Sequence, residues 1–387
     1  MNIVSDSKGR SAKGTPESEI TENEIAESCY RLSQVEKEQS LLAQFQALSI
    51  QHYQTCKEYR SIVDAYGGLK AYERVSDFPF LAVRLFKYLD LKSVAQDQVF
   101  KVLTSSGTTS ELRSRIYLDK ETAAKQSKAL VKILQQFIGK QRLPMMMVDH
   151  AELTASPSSF SARAAGVQGI SLFGRDTTYL LDPEMNLDID RFLKFCQQYE
   201  GQTVLIFGFT FMVWQNLLQY LEHNDIRVSL PKGILIHSGG WKKLQQIAVD
   251  NDSFKARVKD RLGIAKVHNF YGMVEQTGSI FMECEQGVLH VSDFGDVIIR
   301  DASNWRECEP NEQGVIQVLS TLPNSYPGHN ILTEDLGTLL GVDDCPCGRL
   351  GKYFRVDGRV SQAELRGCSD VKSDVNSTLS STEGDLS

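Results

Sequence analysis

The alternation of short apolar runs with segments of helical periodicity is the feature that most constrains the fold of this chain. Strand candidates lie at 100–103, 145–148, 203–207, 233–237, 266–270 and 314–319. The segments between several of them, such as 120–137 and 188–199, carry apolar residues at helical spacing. Strands that alternate with helices in this way usually build a partly parallel sheet. We therefore predict an α/β fold.

The chain changes in composition along its length. Residues 1–17 are rich in Ser, Gly and Lys, and we expect them to be disordered. Residues 18 to about 65 read as helices, and Pro79 interrupts the helical pattern because proline cannot continue a helix. Beyond Glu283 the helical patterns thin out and short strands marked by glycine dominate, which predicts a β-rich subdomain at about 284–355.

Charge and hydropathy exclude several classes of protein. The chain has 42 basic and 49 acidic residues, so it lacks the basic surplus that nucleic-acid binding requires. The most apolar stretch, 204–214, is shorter than the roughly 20 residues of a membrane span. The polar N-terminus has no apolar secretory segment, so we expect a cytoplasmic protein. In that compartment, clusters among its eight cysteines indicate metal binding or catalysis rather than disulfides.

The clearest chemical motif is TSSGTTS at 104–110, which directly follows the apolar pair Val102 and Leu103. A turn of hydroxyl residues and glycine after a strand presents N–H and O–H groups to an anion, and Gly107 lets the backbone approach closely. The motif lacks the Gly-Lys-Ser/Thr ending of a Walker loop. Taken alone, it is equally well read as a flexible Ser/Thr-rich turn.

Further short motifs follow in a fixed order. They are SGGWK from Ser238, NFYGMVE from Asn269, TEDL from Thr333, and the Gly-Arg pair at 358–359. Together with TSSGTTS they resemble the motifs of the adenylate-forming superfamily, whose members make acyl-adenylates from ATP and a carboxylic acid. Each motif is weak alone, whereas the whole set in the expected order is specific.

The resemblance implies a role for each matching residue. The nucleotide-binding residues would be Thr104, Ser105, Ser106, Gly107, Thr108, Thr109, Ser238, Gly239, Gly240, Tyr271, Gly272 and Asp335. By analogy the ring of Tyr271 lies along the adenine and Asp335 binds the ribose hydroxyls. Glu275 would hold Mg²⁺, and Arg359 would lie near the ribose and phosphate.

The chain departs from the superfamily pattern at one position of this site. Val274 stands where the Tyr-Gly-x-Thr-Glu motif has threonine, so one hydroxyl on the phosphate side is missing. We expect Gln276, Thr277 or a neighbouring residue to replace it.

Four segments narrow the resemblance to a subfamily. The DFPF segment at 77–80, the LFK segment at 85–87, the SGGWK turn from Ser238 and, above all, ELRGCSD at 364–370 resemble the LuxE-type acyl-protein synthetases, relatives of the phenylacetate-CoA ligases. In luminous bacteria, LuxE is the synthetase subunit of a fatty-acid reductase that makes aldehyde. The resemblance implies that Cys368 accepts the acyl group as a thioester and that an acyl reductase is a partner. An incidental surface cysteine is the alternative for Cys368.

The end of the chain predicts an unusual domain organisation. Other members of the superfamily continue past the Gly-Arg pair into a lid domain with a catalytic lysine, whereas only 28 of the 387 residues follow Arg359. So few residues cannot bury a core of their own. We expect a large N-terminal-type adenylate-forming domain at 18–359 without a full lid, followed by a short flexible segment, 360–387, that carries Cys368.

A second group of cysteines suggests a metal. Cys345 and Cys347 form a C-x-C pair, and Cys284 and His290 precede it. These four residues would make a tetrahedral Cys₃His site for structural Zn²⁺, and some phenylacetate-CoA ligase relatives carry a similar arrangement. A Gly/Pro turn with free thiols is the alternative, and Cys308 is a candidate substitute ligand.

The sequence therefore predicts an ATP- and Mg²⁺-dependent acyl-protein synthetase. It would convert a carboxylic acid, which the resemblance implies is a fatty acid, to acyl-AMP and then transfer the acyl group to Cys368. Two alternatives stay open. One is an acyl-CoA ligase of the phenylacetate-CoA ligase type. The other is a catalytically silent scaffold, an alternative consistent with Val274 and the short C-terminus.

Overall fold

A computed structural model describes residues 28–105, 112–154, 162–241 and 248–360 of the chain. Its helices are α1 (Gln34–Thr55), α2 (Lys57–Ala65), α3 (Leu85–Tyr88), α4 (Lys120–Ile138), α5 (Ala162–Ser171), α6 (Ile189–Gln198), α7 (Thr210–Met212), α8 (Gln219–His223) and α9 (Asn251–Leu262). A π-helical segment, Val213–Leu218, joins α7 to α8. Short 3₁₀ turns lie at Val75–Asp77, Gln96–Gln98, Ala151–Thr154 and Val274–Gln276.

The strands of the described residues number fourteen. They are β1 (Leu81–Ala82), β2 (Lys101–Thr104), β3 (Arg115–Leu118), β4 (Leu143–Val148), β5 (Gly174–Tyr179), β6 (Leu205–Phe209), β7 (Ile234–Ser238), β8 (Lys266–Tyr271), β9 (Phe281–Glu283), β10 (Leu289–His290), β11 (Gly295–Arg300), β12 (Gln313–Ser320), β13 (Asn330–Val342) and β14 (Lys352–Arg359).

One large mixed sheet contains all of these strands except β2 and β3, which form a separate antiparallel hairpin. The sheet order is β11-β12-β13-β14-β10-β9-β8-β7-β6-β4-β5, and β1 pairs with β13. The five strands from β8 to β5 in this order are mutually parallel, and from β9 to β11 the pairing is antiparallel. The predicted α/β fold with a partly parallel sheet is confirmed.

The predicted elements agree with the structure to within a few residues. All six predicted strands are present, as β2, β4, β6, β7, β8 and β12, and the two predicted helical segments are α4 and α6. The prediction of helices at 18 to about 65 is confirmed from Gln34 onward. It is wrong for 28–33, because Ser33 caps α1 in a capping box with Glu36. The expected disordered N-terminus, 1–17, lies outside the described residues, as do residues 18–27 of the predicted helical region and all of the expected flexible segment 360–387 except residue 360.

Helices cover both faces of the parallel strands. His268 of β8 contacts Phe137 of α4, with ring centroids 5.1 Å apart. His268 is in register with Ile236, so the next residue, His237, points to the opposite face. There its ring lies 4.5 Å from that of Phe254 in α9. Strands β4, β6 and β7 are buried along their whole length, as expected for parallel strands covered on two sides.

The antiparallel strands of the 284–355 region belong to the same sheet as the parallel strands. The N-terminal helix α1 packs on them, because Leu41 and Phe45 share an apolar cluster with Ile298 and Leu319. Within the described residues, no helix has the length and apolarity needed to cross a membrane.

Candidate active site and cysteine–histidine cluster

The carboxyl ends of the parallel strands carry several of the predicted nucleotide-binding residues. Ser238 ends β7 and is followed by Gly239 and Gly240, whereas Tyr271 ends the neighbouring strand β8 and is followed by Gly272. Gly239 has φ of +83°, a left-handed conformation that favours glycine. Ligands of open α/β sheets bind at this edge of the strands, so the sheet topology places both motifs at one suitable edge.

Tyr271, Asp335 and Arg359 form a hydrogen-bonded group. The Tyr271 hydroxyl donates to Oδ2 of Asp335 at 2.7 Å, and Nε of Arg359 donates to Oδ1 of Asp335 at 3.2 Å. Asp335 and Arg359 are partners in the register of β13 and β14. Burial, reinforced by the charge of Asp335, raises the pKa of Tyr271 well above its ordinary value, so the phenol remains a donor. Three residues predicted for the adenine and ribose sides therefore meet.

Glu275 lies in the 3₁₀ turn that follows β8, and its side chain is buried. Burial raises the pKa of its carboxyl group, whereas the nearby Ser114 side chain and the charge of Lys87 oppose this increase. The hydroxyl of Tyr326 donates a 2.9 Å hydrogen bond to the backbone carbonyl of Glu275. A buried carboxylate close to the β2–β3 hairpin fits a metal ligand, since carboxylate oxygens are the usual protein ligands of Mg²⁺.

The TSSGTTS motif connects the two strands of the β2–β3 hairpin. Thr104 ends β2, and Ser105 and Ser114 close the base of the connection. The N–H of Ser105 donates to the carbonyl of Ser114 at 3.2 Å, and the N–H of Ser114 donates to Oγ of Ser105 at 3.0 Å. The remaining predicted residues of the loop lie outside the described residues: Ser106, Gly107, Thr108 and Thr109.

The structure argues against two of the expected replacements for the hydroxyl missing at Val274. The side-chain amide of Gln276 donates to the carbonyls of Val318 and Gly328 at 3.0 and 2.9 Å. The Thr277 hydroxyl donates to the carbonyl of Val274 at 2.9 Å. These donors are engaged inside the fold, while Val274 itself packs in an apolar cluster.

Cys284, His290, Cys345 and Cys347 come together as predicted. Their ligand atoms all lie within 4.8 Å of one another. The Cys284 and Cys345 sulfurs are 4.0 Å apart, and the Cys347 sulfur is 3.3 Å from Nε2 of His290. Cys308 lies elsewhere, with its sulfur 4.0 Å from the carbonyl of Gln313, so the expectation of a substitute ligand is not supported.

The surroundings of the cluster favour the neutral imidazole of His290 and the thiolate of Cys347, which are the forms that bind a metal. Burial lowers the pKa of His290 to about 4, which keeps its imidazole neutral. Burial disfavours the Cys347 thiolate, but the backbone and guanidinium of Arg349 outweigh it and lower the pKa of Cys347. Three thiols and one neutral imidazole at these distances fit the donor set of tetrahedral Zn²⁺.

Sequence reasoning missed two groups around Glu275. Ser114 closes the predicted loop, and its place at the end of a Ser/Thr-rich turn is a weak signal. Tyr326 lies 51 positions from Glu275, and no local pattern marks it. The predicted acyl acceptor, Cys368, lies outside the described residues.

Comparison with protein families shows to which family the chain belongs. The model of the family described as acyl-protein synthetase, LuxE, matches residues 13–376. The chain belongs to the LuxE family of acyl-protein synthetases. This LuxE-family protein is 21% identical over 331 residues to a long-chain-fatty-acid–luciferin-component ligase of Aliivibrio fischeri, with 82% of this chain and 83% of the relative covered. Its counterpart in Vibrio harveyi is 20% identical over 334 residues, with the same coverage.

Solved structures agree with the fold of the LuxE-family chain. An open conformation of 2-hydroxyisobutyryl-CoA ligase, in complex with its acyl-adenylate and CoA, matches with a TM-score of 0.66 and 16% identity over 87% of this chain and 78% of that chain. The postadenylation state of the same ligase gives a TM-score of 0.66 and 16% identity, with 90% and 72% of the two chains covered. The expected adenylate-forming fold is confirmed.

Proposed function

We propose that this LuxE-family protein activates a fatty acid with ATP and then acylates its own Cys368. The observation that carries the proposal is the Tyr271–Asp335–Arg359 group, which lies at one edge of the sheet in a chain of the acyl-protein synthetase family. The names of its two curated relatives support a long-chain fatty acid as the substrate.

In the first step, a carboxylate oxygen of the acid attacks the α-phosphorus of ATP, and pyrophosphate leaves. Asp335 and Arg359 hold the ribose, and the ring of Tyr271 lies along the adenine. The hydroxyl and N–H groups of the TSSGTTS loop stabilise the charge that develops on the phosphates. Glu275 would hold Mg²⁺, and the ion would supply Lewis-acid stabilisation of the phosphate oxygens. The acid is already ionised, so no general base is needed.

In the second step, the thiolate of Cys368 attacks the carbonyl carbon of acyl-AMP. A C–S bond forms, the bond to the phosphate oxygen breaks, and AMP leaves with the electron pair. The proton of the thiol goes to solvent before the attack, since the thiolate is the nucleophile. The acyl group is then transferred from Cys368 to a partner protein. We propose that this partner is an acyl reductase that makes aldehyde.

We also propose that the Cys284, His290, Cys345 and Cys347 cluster holds a structural Zn²⁺. Cys284 directly follows β9, His290 ends β10, and the two remaining cysteines lie between β13 and β14. A closed four-ligand site would join these segments and stabilise the fold rather than take part in the reaction.

Intact-protein mass spectrometry with Mg-ATP and a panel of carboxylic acids tests the acyl transfer. The wild type and a Cys196→Ser control should gain the mass of one acyl group in a bond labile to hydroxylamine, whereas Cys368→Ser should gain none. A mass gain that survives Cys368→Ser would remove this residue from the mechanism. Formation of an acyl-CoA by Cys368→Ser would indicate an acyl-CoA ligase, and the absence of ATP–pyrophosphate exchange with every acid would indicate a scaffold.

A further inference from the structure

The turn 321–329, which joins β12 to β13, is held by the elements that surround the candidate site. Lys125 of α4 donates to the carbonyl of Thr321 at 2.6 Å. The hydroxyl of Ser325 donates to the carbonyl of Tyr117 in β3 at 2.8 Å. The turn therefore connects the helix after the hairpin with the hairpin that carries the TSSGTTS loop.

Tyr326 extends from this turn into the interior and is fully buried. Its hydroxyl donates to the carbonyl of Glu275 at 2.9 Å and accepts a hydrogen bond from the side-chain amide of Gln126 at 3.1 Å. Its ring packs edge-on against Phe86, with centroids 6.3 Å apart. One hydroxyl thus links α4, the 321–329 turn and the turn that carries Glu275.

Two glycines allow the backbone to approach this network closely. A Cβ at Gly328 would lie 2.2 Å from the Tyr326 ring and 2.8 Å from the Glu275 carbonyl oxygen. A Cβ at Gly278, where φ is +87°, would lie 2.4 Å from the carbonyl oxygen of Gln126. The Gly328 backbone therefore lies against the Tyr326 ring and the Glu275 carbonyl, and the Gly278 backbone lies against the backbone of Gln126, so a side chain at either glycine would displace its neighbours.

The residue after Glu275 is fixed to the same turn. The side-chain amide of Gln276, which is almost fully buried, donates to the Gly328 carbonyl at 2.9 Å. The peptide between Glu275 and Gln276 is held through its carbonyl by the Tyr326 hydroxyl, and the residue that follows is held through the Gln276 side chain. The preceding peptide is held through the Val274 carbonyl, which accepts a 2.9 Å hydrogen bond from the Thr277 hydroxyl.

We propose that Tyr326 is a positioning residue that fixes the direction of the Glu275 carboxylate by holding the Glu275 peptide, and that Gln126 orients the Tyr326 hydroxyl for this role. The backbone angles of Glu275 set the direction of its Cα–Cβ bond, and a metal ligand must be placed within about 0.5 Å to act. A buried carbonyl that loses its donor must turn to find another or remain unsatisfied. The proposal rests on the proposed role of Glu275 as the Mg²⁺ ligand.

The first test is the Mg²⁺ dependence of ATP–pyrophosphate exchange in Tyr326→Phe, which keeps the ring and removes the hydroxyl. Loss of one hydrogen bond should raise the Mg²⁺ concentration for half-maximal exchange by about tenfold and leave the KM for the acid unchanged. The control is Tyr53→Phe, since the Tyr53 hydroxyl donates to Asp64 at 2.7 Å between α1 and α2. Gln126→Met should change the Mg²⁺ dependence in the same direction as Tyr326→Phe.

The second test does not depend on activity. Amide hydrogen exchange of residues 274–277 should be faster in Tyr326→Phe than in the wild type or in Tyr53→Phe, while exchange in β3 stays the same. Unchanged exchange at 274–277 overturns the proposal. An active wild type with the same Mg²⁺ dependence in Tyr326→Phe also overturns it and leaves the proposed function intact. A further outcome is that the wild type shows no ATP–pyrophosphate exchange while amide hydrogen exchange at 274–277 is faster in Tyr326→Phe. That result would reject the proposed function but support the positioning of Glu275 by Tyr326.

Discussion

The hydroxyl of Tyr271 donates a 2.7 Å hydrogen bond to Oδ2 of Asp335, although 64 positions separate the two residues. The other carboxylate oxygen of Asp335 accepts a hydrogen bond from Arg359. Each carboxylate oxygen can accept more than one hydrogen bond, so Asp335 retains capacity for a diol. The arrangement holds the Asp335 carboxylate in one orientation, which would lower the entropic cost of the ribose contact that we propose.

Replacing Asp335 should weaken nucleotide binding selectively. Asp335→Asn removes the charge that Arg359 contacts and one acceptor for the ribose, so the KM for ATP should rise about 10- to 100-fold, the range expected for a charge-assisted hydrogen bond. The KM for the acid should stay unchanged. Tyr271→Phe keeps the ring and should raise the KM for ATP by less than Asp335→Asn does. Pyrophosphate exchange measured against the ATP concentration gives the KM for ATP of both variants, and the same assay measured against the acid concentration gives the KM for the acid. An unchanged KM for ATP in Asp335→Asn would contradict the proposed ribose contact.

The pH dependence of activity should report on Glu275. Burial raises the pKa of this carboxyl group above its ordinary value of 4.5. Protonation removes the charge that holds Mg²⁺, so exchange should fall on acidification with a midpoint above pH 4.5. Mg²⁺ competes with the proton, so saturating Mg²⁺ should move this midpoint to lower pH. Pyrophosphate exchange measured against pH at limiting and saturating Mg²⁺ checks both statements. A midpoint that does not depend on Mg²⁺ would assign the acidic limb to another group.

The cysteine–histidine cluster should bind about one Zn²⁺ per chain, as four-ligand structural sites do. Cys345→Ser and Cys347→Ser should lose the metal and lower the melting temperature, because each removes a ligand. Cys308→Ser changes a buried cysteine outside the cluster and should keep the metal. Elemental analysis of the purified proteins, with thermal melts before and after treatment with a chelator, gives the answer. Wild type that contains no metal as purified, or that melts at the same temperature before and after chelation, would reject a structural role.

Acid should destabilise the fold through buried histidines such as His52. This ring is buried between Ser93, at 2.7 Å, and the carbonyl of Pro323, at 3.2 Å, and burial lowers its pKa to about 4. The unfolded chain has a histidine pKa of about 6.5, so below that pH the unfolded state binds a proton that the folded state does not. The contribution of His52 to the free energy of unfolding is therefore fully present above pH 6.5 and is lost as the pH falls from 6.5 towards 4.

For His52 alone, this linkage should cost about 2 kcal/mol at pH 5. Urea unfolding at pH 7.5 and pH 5 measures the loss, and His52→Gln should show less of it because glutamine does not titrate. His223 is exposed on α8, so His223→Gln should behave like the wild type. Equal losses in His52→Gln and the wild type would place the effect elsewhere.

Asp296 should be a critical charge for stability. It is buried between two lysines, with Lys352 Nζ at 3.0 Å and Lys37 Nζ at 3.7 Å. Asp296→Asn removes the carboxylate with which two buried lysines pair and should cost about 3–5 kcal/mol of unfolding free energy. Lys37→Met should cost less, since Lys352 keeps its partner and the apolar chain fills the same space. Urea unfolding of the two variants compares these values, and a larger loss in Lys37→Met would refute the assignment.

Local patterns located six of the fourteen described strands and the helices α1, α2, α4 and α6. The apolar run at 145–148 is part of β4, and the helical period from Lys120 is α4, because strand and helix burial leave their periods in the sequence. The run at 100–103 is a strand as expected, but it pairs only with β3 in a separate hairpin. Pairing partners depend on the path of the whole chain, which an individual apolar run does not encode.

For the candidate site too, the sequence predicted the residues but not the contacts between them. Motif order marked Tyr271, Asp335 and Arg359, and the chemistry of thiols and imidazole marked Cys284, His290 and the C-x-C pair. Neither indicated which atoms of these residues meet. Gln276, one expected source of the missing hydroxyl at Val274, proved to donate to backbone carbonyls.

The sequence by itself determined the α/β class, the chemical types of the candidate site residues and the four residues of the possible zinc site, because hydrophobic period and residue chemistry are local properties. Only the tertiary structure decided that β2 and β3 leave the large sheet, that Cys308 lies away from the cluster and that Tyr326 holds the peptide of Glu275. These outcomes depend on buried contacts between distant segments. A buried polar group takes whichever partner the packed fold brings to it, and no local spacing specifies that partner.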